Sequence, residues 1–488
     1  MLLTIDIGTS IFKSAIWDFE GNRLAFASFP LSISRSEGLR HEADSGQWLK
    51  AFEDCCRALS ASALGANIRL NTIEALIICG NGPSLTPVLA APLKDDGSDG
   101  NSFGLYTAPS RLWLDRRAVE AAKQVSALAG GFVDPGFYLP KALDIKINEQ
   151  ALYDNTKFFL GCPELLAYTL TGEARTVFPS DGFERWFWND SILERLDLDK
   201  GKFPSFIRPG EVFGQLIPGV AARFGFKPGT PVISGGPDFF AAILGTGVIK
   251  PGQVCDRAGT SEGINACTSR RVSDERLMSY KHPVKQFWNL SGIVSTTGKA
   301  IEWGHGLLGI ESYDAFYALA QTARPGAGGL VFLPYLAGER APVWDPSKRG
   351  VLRGLGLETG RPEFARSVLE GICFAIRDVT SIMEEAASSK EDGAVIEELR
   401  VAGALSSSDL LDQIKADITK KPVLVPGQKE TELMGLAIIG SCALNKYASF
   451  AEAASTLVKI DKEFLPDAKN AALYDDLFGE YLRLRREV

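Results

Sequence analysis

Two copies of one short motif constrain the fold of this 488-residue chain more than any other feature. Each copy is an apolar run that leads through Gly-Thr-Ser into a second strand-like run; the copies lie at Leu2–Trp17 and from Val254 onward, with turns at Thr9 and Thr260. A single Gly-Thr-Ser indicates only an ordinary turn. Two copies, each opening one half of the chain, predict a duplicated architecture whose turn amides and hydroxyls face an anion such as a phosphate chain.

The stretch from Val232 to Gly245 contains the clearest candidate for chemistry. It predicts a short buried strand, a glycine turn at Gly235-Gly236 and a helix that opens at Asp238. Asp is a favoured cap residue, so capping alone is the simpler interpretation on local grounds. The nearby Gly-Thr-Ser turn at Thr260 makes Asp238 a candidate catalytic carboxylate as well.

Strand-like and helical patterns alternate along the chain. A helix is expected from about Ser45, a compact apolar strand from Ile73 to Cys79, and the strongest helix from Pro362, which carries one apolar stripe: Phe364, Val368, Leu369, Ile372, Ile376 and Val379. This order predicts α/β layers.

Charge and composition exclude several functional classes. The formal net charge is -8, so neither nucleic acid nor an anionic membrane has an obvious basic surface to bind. There is no run of eighteen apolar residues and no signal-peptide pattern at the start, which predicts a cytoplasmic protein. Eight cysteines without Cys-x-x-Cys predict buried thiols, and three histidines leave little for a histidine-based metal site.

Four segments together resemble the FGGY family of carbohydrate kinases, which share a fold with actin and hexokinase. They are Asp6 to Ser10, Gly235 to Asp238, Ala258 to Ser261, and the long run Phe332 to Pro346. The resemblance extends from Leu3 to about Leu444. It implies an α/β fold of two actin-like (ribonuclease H-like) ATPase domains with an interdomain cleft, at about 1–246 and 247–488, with the sugar mostly on the first and ATP mostly on the second.

The resemblance also implies roles for individual residues. Asp238 would be the general base that receives the proton of the acceptor hydroxyl, and Asp6 would hold Mg²⁺ through water. The nucleotide, ATP, would be bound by a set of small and polar residues: Gly8, Thr9, Ser10, Lys13, Gly259, Thr260, Ser261, Gly298, Glu302, Gly403, Ala404 and Ser408.

A turn cluster from Gly80 to Ser84 follows the strand expected from Ile73 to Cys79, at a strand end where open α/β sheets present ligand contacts. In the xylulose-kinase branch the corresponding turn contributes to the sugar site, and Asn81, Gly82 and Ser84 are the candidates here. This chain departs from the usual Gln-Met-His-Gly, so the acceptor is left open. Trp113 matches a family Trp-x-Asp-x-Arg element; stacking on a sugar and packing in the core are equally compatible with its leucine neighbours.

The expected adenosine loop also departs from the family pattern. The family has two or three successive glycines, whereas this chain reads Gly403-Ala404-Leu405. A β-carbon at Ala404 predicts weaker discrimination between ATP and other nucleoside triphosphates. There is no Walker-type Gly-x-x-x-x-Gly-Lys-Ser/Thr, and Gly354 to Gly360 misses the dinucleotide-binding spacing by one residue.

Three functions are compatible with these features. The first is ATP-dependent phosphorylation of a sugar or polyol, xylulose or a related pentulose among the options. The second is a non-catalytic sugar or nucleotide sensor, which the altered turn at Asn81 and loop at Ala404 favour. The third is an actin-like ATPase or assembly protein, for which a base placed against a sugar hydroxyl has no use. The ordered motifs favour the kinase, and the oligomeric state is left open, with a homodimer as one option.

Overall fold

A computed structural model describes residues 1–63, 68–90, 105–388, 396–403, 405 and 408–488. Ala404 of the expected adenosine loop therefore lies outside the described residues. The chain divides into two compact units, Met1–Ala241 with Glu432–Ala453, and Ala242–Thr431 with Ala454–Val488. This division differs from a single cut at 246/247, because one segment late in the sequence belongs to the first unit.

The elements before residue 250 alternate between strands and helices. The strands are β1 (Leu2–Ile7), β2 (Ile11–Trp17), β3 (Arg23–Pro30), β4 (Arg35–Glu37), β5 (Arg40–Ala43), β6 (Ala75–Gly80), β7 (Thr86–Leu89), β8 (Ser110–Arg111), β9 (Thr156–Leu160), β10 (Thr176–Val177), β11 (Phe206–Ile207), β12 (Val212–Gln215) and β13 (Pro231–Pro237). The helices are α1 (Gly46–Ala63), α2 (Val119–Ala129), α3 (Tyr138–Asn148), α4 (Gln150–Asn155), α5 (Cys162–Thr171), α6 (Asp190–Arg195), α7 (Pro218–Phe224) and α8 (Asp238–Gly245).

The elements after residue 250 begin with another strand hairpin. The strands are β14 (Gln253–Ala258), β15 (Glu262–Thr268), β16 (Met278–Lys281), β17 (Trp288–Val294), β18 (Val331–Leu333), β19 (Val351–Arg353), β20 (Glu398–Ala402), β21 (Val423–Pro426) and β22 (Ile460–Phe464). The helices are α9 (Gly298–Leu307), α10 (Tyr313–Gln321), α11 (Arg361–Ser388), α12 (Asp409–Thr419), α13 (Thr431–Ala443), α14 (Phe450–Leu457) and α15 (Ala471–Glu487).

The main sheet of the first unit has the order β12-β13-β6-β1-β2-β3 among the described residues. The chain starts as an antiparallel meander, β1 to β3, and β6 and then β13 join it in parallel. Both faces of β1 and β6 are buried, as expected for central strands of a covered sheet. The carboxyl ends of β1, β6 and β13 therefore meet at one edge.

The main sheet of the second unit repeats this arrangement, with the order β16-β17-β15-β14-β20-β21-β22 in the described part of the chain. Here β14, β15 and β17 form the antiparallel meander, and β20 and β21 join in parallel. The central strand orders and directions of the two sheets match, so the duplication inferred from the two Gly-Thr-Ser turns is present in the fold.

Amphipathic helices cover these sheets as their sequences predict. In α1 the side chains at helical spacing, Trp48, Leu49, Phe52, Cys55, Cys56 and Leu59, are buried in the core of the first unit. In α11 the stripe from Val368 to Val379 forms the centre of the second core. Gly371 lets α11 approach β18 closely, since a β-carbon there would lie 2.4 Å from the carbonyl oxygen of Phe332.

Two further expectations from the sequence concern the cysteine thiols and membrane-spanning segments. Seven cysteines are buried and Cys442 is partly buried, and none is in a disulfide, as the sequence predicts. None of the helices in the described ranges combines the length and the apolar character needed to cross a membrane.

Candidate functional site

The first Gly-Thr-Ser turn connects β1 to β2 at the carboxyl edge of the first sheet. Gly8 donates its amide hydrogen to the Ile11 carbonyl at 3.1 Å, and a β-carbon on Gly8 would lie only 2.6 Å from that oxygen. The turn therefore requires glycine. Thr9 accepts a hydrogen bond from the indole nitrogen of Trp113 at 3.0 Å, and Ser10 is exposed. The structure thus brings two predicted nucleotide residues, Gly8 and Thr9, next to the predicted sugar residue Trp113.

Asp6 lies two residues before this turn and is 6% exposed. In the sheet it pairs with Lys13 on β2 and with Cys79 on β6, and the Cys79 thiol donates to Asp6 Oδ1 at 3.4 Å. Burial raises the pKa of Cys79 well above its usual value, and the negative charges of Asp6, Asp238 and Glu432 raise it further. The negative charges of three carboxylates therefore act on this thiol, and Asp6 is the one bonded to it. Sequence reasoning identified the first two and missed Glu432.

Asp238 is the first residue of α8 and is half-buried, as the strand–turn–helix pattern predicts. Gly235 and Gly236 allow the tight approach: a β-carbon on Gly235 would lie 2.8 Å from the Ile78 carbonyl, and Gly236 has a φ of 78°. Asp238 Oδ1 accepts a hydrogen bond from the amide of Phe239 at 2.7 Å.

Asn81 and Ser84 hold the turn after β6 against the Gly-Thr-Ser turn. The Asn81 amide donates to the carbonyls of Ile7 and Gly8 at 2.9 and 3.1 Å, and its oxygen accepts from the Ser84 hydroxyl at 2.7 Å. Both side chains are buried. Gly82, between them, is exposed and precedes a cis peptide bond to Pro83. The polar atoms predicted to meet a sugar are thus engaged in binding the two turns together.

Two charged residues that follow Trp113, Asp115 and Arg117, form a structural ion pair. Asp115 is completely buried and accepts a hydrogen bond from the Arg117 Nε at 3.0 Å, while Arg117 also pairs with Glu42 at 2.6 Å. The Trp113 side chain is half-buried, so it is neither fully enclosed in the core nor fully exposed to solvent.

Four half-buried aromatic side chains form a continuous surface that ends beside Asp238; we call it the aromatic wall. Phe239 stacks on Phe183 with ring centroids 6.1 Å apart, Phe183 contacts Trp186 at 5.3 Å, and Trp186 stacks on Phe137 at 5.8 Å. The other end lies near Trp113. Gly136, which precedes Phe137, would place a β-carbon 2.8 Å from the Trp113 carbonyl oxygen. Sequence reasoning missed the wall, although Phe239 directly after Asp238 was a usable signal.

The second Gly-Thr-Ser turn, between β14 and β15, is closed by a bond from the Gly259 amide to the Ser261 carbonyl at 3.0 Å. The start of α9 binds to it, since the Gly298 amide donates to the Gly259 carbonyl at 3.0 Å. A β-carbon on Gly298 would lie 2.3 Å from that oxygen. The structure therefore joins Gly259, Thr260, Ser261 and Gly298 in one cluster. Glu302, one turn into α9, is exposed and pairs with Lys299.

A buried ion cluster lies beneath this second turn; it consists of Lys415, Asp256, Glu262 and Asp412, each at most 2% exposed. The Lys415 ammonium donates to Glu262 Oε1 at 2.8 Å and to Asp256. Burial and the charge of Asp256 raise the pKa of Glu262 to about 8 against the opposing effect of Lys415. Burial likewise raises the pKa of Asp412 to about 7. Sequence reasoning did not identify this cluster.

The loop after β20 contributes Gly403 and Ser408 at the same edge of the second sheet. Gly403 has a φ of 85°, and a β-carbon on it would lie 2.0 Å from the Ala258 carbonyl oxygen. Gly403 is therefore packed against the end of β14. Ser408 caps α12, since its hydroxyl accepts a hydrogen bond from the Leu411 amide at 3.3 Å.

Two family models match almost the whole chain. Residues 1–245 match the N-terminal domain of the FGGY family of carbohydrate kinases, and residues 257–444 match its C-terminal domain. Xylulose kinase of Escherichia coli (strain K12) is 28% identical over 506 residues, covering 100% of this chain and 99% of the relative. Xylulose kinase of Klebsiella pneumoniae is 30% identical over 406 residues, with 80% of each chain covered.

Solved structures show the same fold. A Brucella ovis xyloylose kinase has a TM-score of 0.84 at 26% identity, covering 99% of this chain and 98% of its own. A Lactobacillus acidophilus gluconate kinase has a TM-score of 0.83 at 24% identity, with 100% and 97% covered. The architecture is thus the two-domain actin-like ATPase fold that the sequence motifs imply.

Proposed function

Since the chain belongs to the FGGY family of carbohydrate kinases, enzymes that transfer a phosphoryl group from ATP to a carbohydrate, we propose that Asp238 is the general base of this transfer. The observation that supports the proposal is the position of Asp238 at the junction of β13 and α8, at the carboxyl edge of the first sheet. The alternative of a non-catalytic sensor gains no support from the comparisons.

The base has a limited role in phosphoryl transfer. Phosphoryl transfer passes through a loose transition state, so the protein mainly positions the reactants and stabilises charge on the transferred group. A carboxylate is needed to accept the hydroxyl proton as the new oxygen–phosphorus bond forms. The glycines at 235 and 236 place Asp238 at the sheet edge, where it would reach such a hydroxyl.

Magnesium fits the chemistry of the residues around Asp6. Mg²⁺ prefers hard oxygen ligands, takes one or two carboxylates and keeps several waters and phosphate oxygens. Among the described residues no group of three or more His, Cys, Asp or Glu is arranged to hold a metal alone. A single carboxylate at Asp6, acting through water, is compatible with this requirement. When bound, Mg²⁺ would neutralise charge on the phosphates.

The two Gly-Thr-Ser turns are the proposed phosphate contacts. Their hydroxyls and amides, with Gly298, would hold phosphate oxygens, and Lys13, opposite Asp6 in the sheet, would supply a cation. Gly403 and Ser408 are the proposed contacts to adenosine. Glu302, on α9, is proposed to contact the nucleotide because it matches a family position. Relaxed nucleotide selectivity at Ala404 stays a prediction, as do a homodimer and a cytoplasmic location.

Replacement of Asp238 by Asn tests the proposed base. Asp238→Asn keeps the size of the side chain but removes the proton acceptor, so turnover should fall about 10²–10⁴-fold while binding of the acceptor persists. The measurement is ATP-dependent ADP release together with acceptor binding by calorimetry. Asp190→Asn is the matched control, because Asp190 also opens a helix of the first unit but is exposed and pairs with Lys200. An Asp238→Asn variant that releases ADP at more than half the wild-type rate would eliminate Asp238 as the base.

A further inference from the structure

We propose that Lys141 is a positioning residue for the acceptor: its ammonium fixes the turn at Gly80–Ser84 beside Asp238, and this turn holds the acceptor in place for transfer. Lys141 lies on α3 and is completely buried. The inference rests on the proposed function, because it takes Asp238 as the base. It adds a side chain that would act through the turn rather than on the reacting atoms.

The turn lies beside Asp238 because the two follow neighbouring strands of one sheet. β13 pairs in parallel with β6, and Pro237 stands opposite Gly80 in that pairing. Asp238 and Asn81 come next in the chain, so both leave the carboxyl edge of the sheet at adjacent positions. Gly82, in the middle of the turn, is exposed. An acceptor whose hydroxyl reaches Asp238 would therefore lie close to this turn.

The two halves of the turn are held by different parts of the first unit. The Asn81 side chain donates to the Ile7 and Gly8 carbonyls, which ties its half to the end of β1. The other half is held by Lys141, whose ammonium donates to the Pro83 carbonyl at 2.7 Å. Among the described residues, no other donor binds that carbonyl. Removal of the ammonium would therefore release one side of the turn and leave the other side fixed.

The same ammonium also contacts the chain just before Trp113. It donates to the carbonyls of Leu112 and Arg111 at 2.6 and 3.3 Å. Both of these carbonyls have a second donor, which is the amide of Asp115 for the first and the amide of Leu85 for the second. The ammonium thus joins two segments that carry candidate acceptor contacts, and its bond to the turn is the one that no other group replaces.

The surroundings of Lys141 argue against a role in stability alone. In the described part of the chain its ammonium binds backbone carbonyls and forms no ion pair with a carboxylate. Burial lowers the pKa of Lys141 well below its usual value, against the opposing charge of Asp115. A buried charge without a paired carboxylate is costly, and an apolar side chain of similar size is often at least as stable. An apolar side chain could not hold the turn, however, because it has no hydrogen-bond donor.

The test measures ADP release by the full chain with the most active acceptor among D-xylulose, D-gluconate and glycerol. Lys141→Met keeps an unbranched buried side chain but removes all three donated bonds. We expect it to raise the KM of the acceptor at least tenfold and to leave the KM of ATP within twofold of wild type. Lys141→Gln, which retains an amide donor, should raise the acceptor KM at least threefold but less than Lys141→Met does. It also serves as the test variant if Lys141→Met does not fold.

Two control variants on the same helix separate positioning from stability. Asp144→Asn removes a carboxylate that pairs with Arg111 at 2.6 Å and so joins α3 to β8 without a bond to the turn. Lys146→Met removes a lysine that pairs with Asp197 at 2.7 Å. Both should keep the acceptor KM within twofold of wild type, whatever their thermal unfolding midpoints. An acceptor KM that rises in Asp144→Asn as much as in Lys141→Met would overturn the inference, because it would then follow stability.

Gly82→Ala distinguishes failure of the inference from failure of the proposed site. Among the described residues, a β-carbon on Gly82 would meet only the Tyr138 hydroxyl, at 3.5 Å, so the variant should fold while adding a methyl group to the exposed turn. If Gly82→Ala raises the acceptor KM at least threefold and neither Lys141 variant does, the inference alone is wrong. If none of these variants raises it, the acceptor does not lie at this turn and the inference fails with that placement. Full turnover by Asp238→Asn would overturn the base alone, since the KM comparison does not depend on which group accepts the proton.

Discussion

The two Gly-Thr-Ser turns occupy the same place in two sheets of matching order, yet they rest on opposite chemistry. Beneath the first turn lie apolar side chains, with Ile5 and Ile7 fully buried in the core of the first unit. Beneath the second lies the buried ion cluster, where Asp256 stands at the position of Ile5 and Glu262 at that of Ile11. One residue further on, Asp6 in the first copy corresponds to Arg257 in the second.

The comparison of the two copies shows which positions require glycine and which positions accept side chains of different chemistry. A β-carbon on Gly8, which closes the first turn, would lie 2.6 Å from the Ile11 carbonyl oxygen, whereas one on Gly259 would lie 3.6 Å from the Ser261 carbonyl oxygen, an ordinary contact. Glycine is needed in both copies at the end of the neighbouring parallel strand, where a β-carbon on Gly80 or Gly403 would lie within 3.0 Å of another atom. The supporting layer is under no such restriction. It can be apolar, or it can be charged where an ammonium binds the carboxylates, as Lys415 binds Asp256 and Glu262, since an ion buried alone is costly.

The largest loss of stability is expected when a carboxylate of the second copy is placed at the equivalent apolar position of the first copy. Ile5→Asp would bury a carboxylate where the surroundings are Leu3, Ile7 and other apolar side chains. The unfolding free energy should fall by on the order of 5 kcal/mol, because no cation compensates the lost hydration. Chemical denaturation measures this, and Ile5→Val, which should cost only about 0.5–1.5 kcal/mol, is the matched control. A soluble Ile5→Asp protein with near wild-type stability would contradict the comparison.

Removal of the ammonium from the ion cluster is expected to come next. Lys415→Met leaves Asp256 and Glu262 buried without their cation and should cost about 3–5 kcal/mol. Lys462→Met is the control: Lys462 makes an exposed pair with Asp409, which should contribute less than about 1 kcal/mol. The triple variant Asp256→Ile, Glu262→Ile, Lys415→Leu copies the apolar layer of the first unit and should regain most of the lost stability. Equal losses in both lysine variants would refute the distinction.

The shared glycine position allows a finer comparison. Gly403→Ala combines a φ of 85° with a 2.0 Å approach to the Ala258 carbonyl, so it should destabilise the second unit by about 2–3 kcal/mol. Gly80→Ala, at the equivalent position, meets chiefly the Cys162 side chain at 2.7 Å and should cost less. Thermal unfolding of the two variants decides the order, and the reverse order would mean that the backbone contact is not the stricter constraint.

Over a single pH unit, the smallest expected effect is a pH dependence of the charged copy. The pKa of Glu262 is about 8 in the folded protein against a usual 4.5, so the folded state holds this proton more tightly than the unfolded chain does. Its stabilisation is present at low pH and is lost as the pH rises through about 8. The stability of wild type relative to Glu262→Gln should therefore decrease between pH 5 and 8, by at most about 1.4 kcal/mol per pH unit. A difference independent of pH would exclude this titration.

The sequence predicted the parts of the site that depend on local patterns. Apolar alternation and the positions of the glycines predicted both hairpins. The Gly-Gly-Pro-Asp stretch predicted the helix that begins at Asp238. The ion cluster and the aromatic wall could not be found this way. Lys415 and Asp256 are 159 residues apart, and Phe137 meets Trp186 only after helices and loops fold back on each other. The engagement of Asn81 with Ile7 likewise depends on a parallel strand pair that sequence spacing does not specify.

The helix α13 has a consequence for the order in which the protein forms during synthesis. Its Gly435 packs against the Ala241 carbonyl, where a β-carbon would lie 1.8 Å away, and its Gly440 packs against Ile77 and Leu2. These contacts complete the first unit, but α13 begins at Thr431. The ribosome must therefore translate nearly the whole chain before the amino-terminal sheet gains its last neighbour. Until then Ile77 and Leu2 lack this helix as a neighbour, although their own strands are translated early.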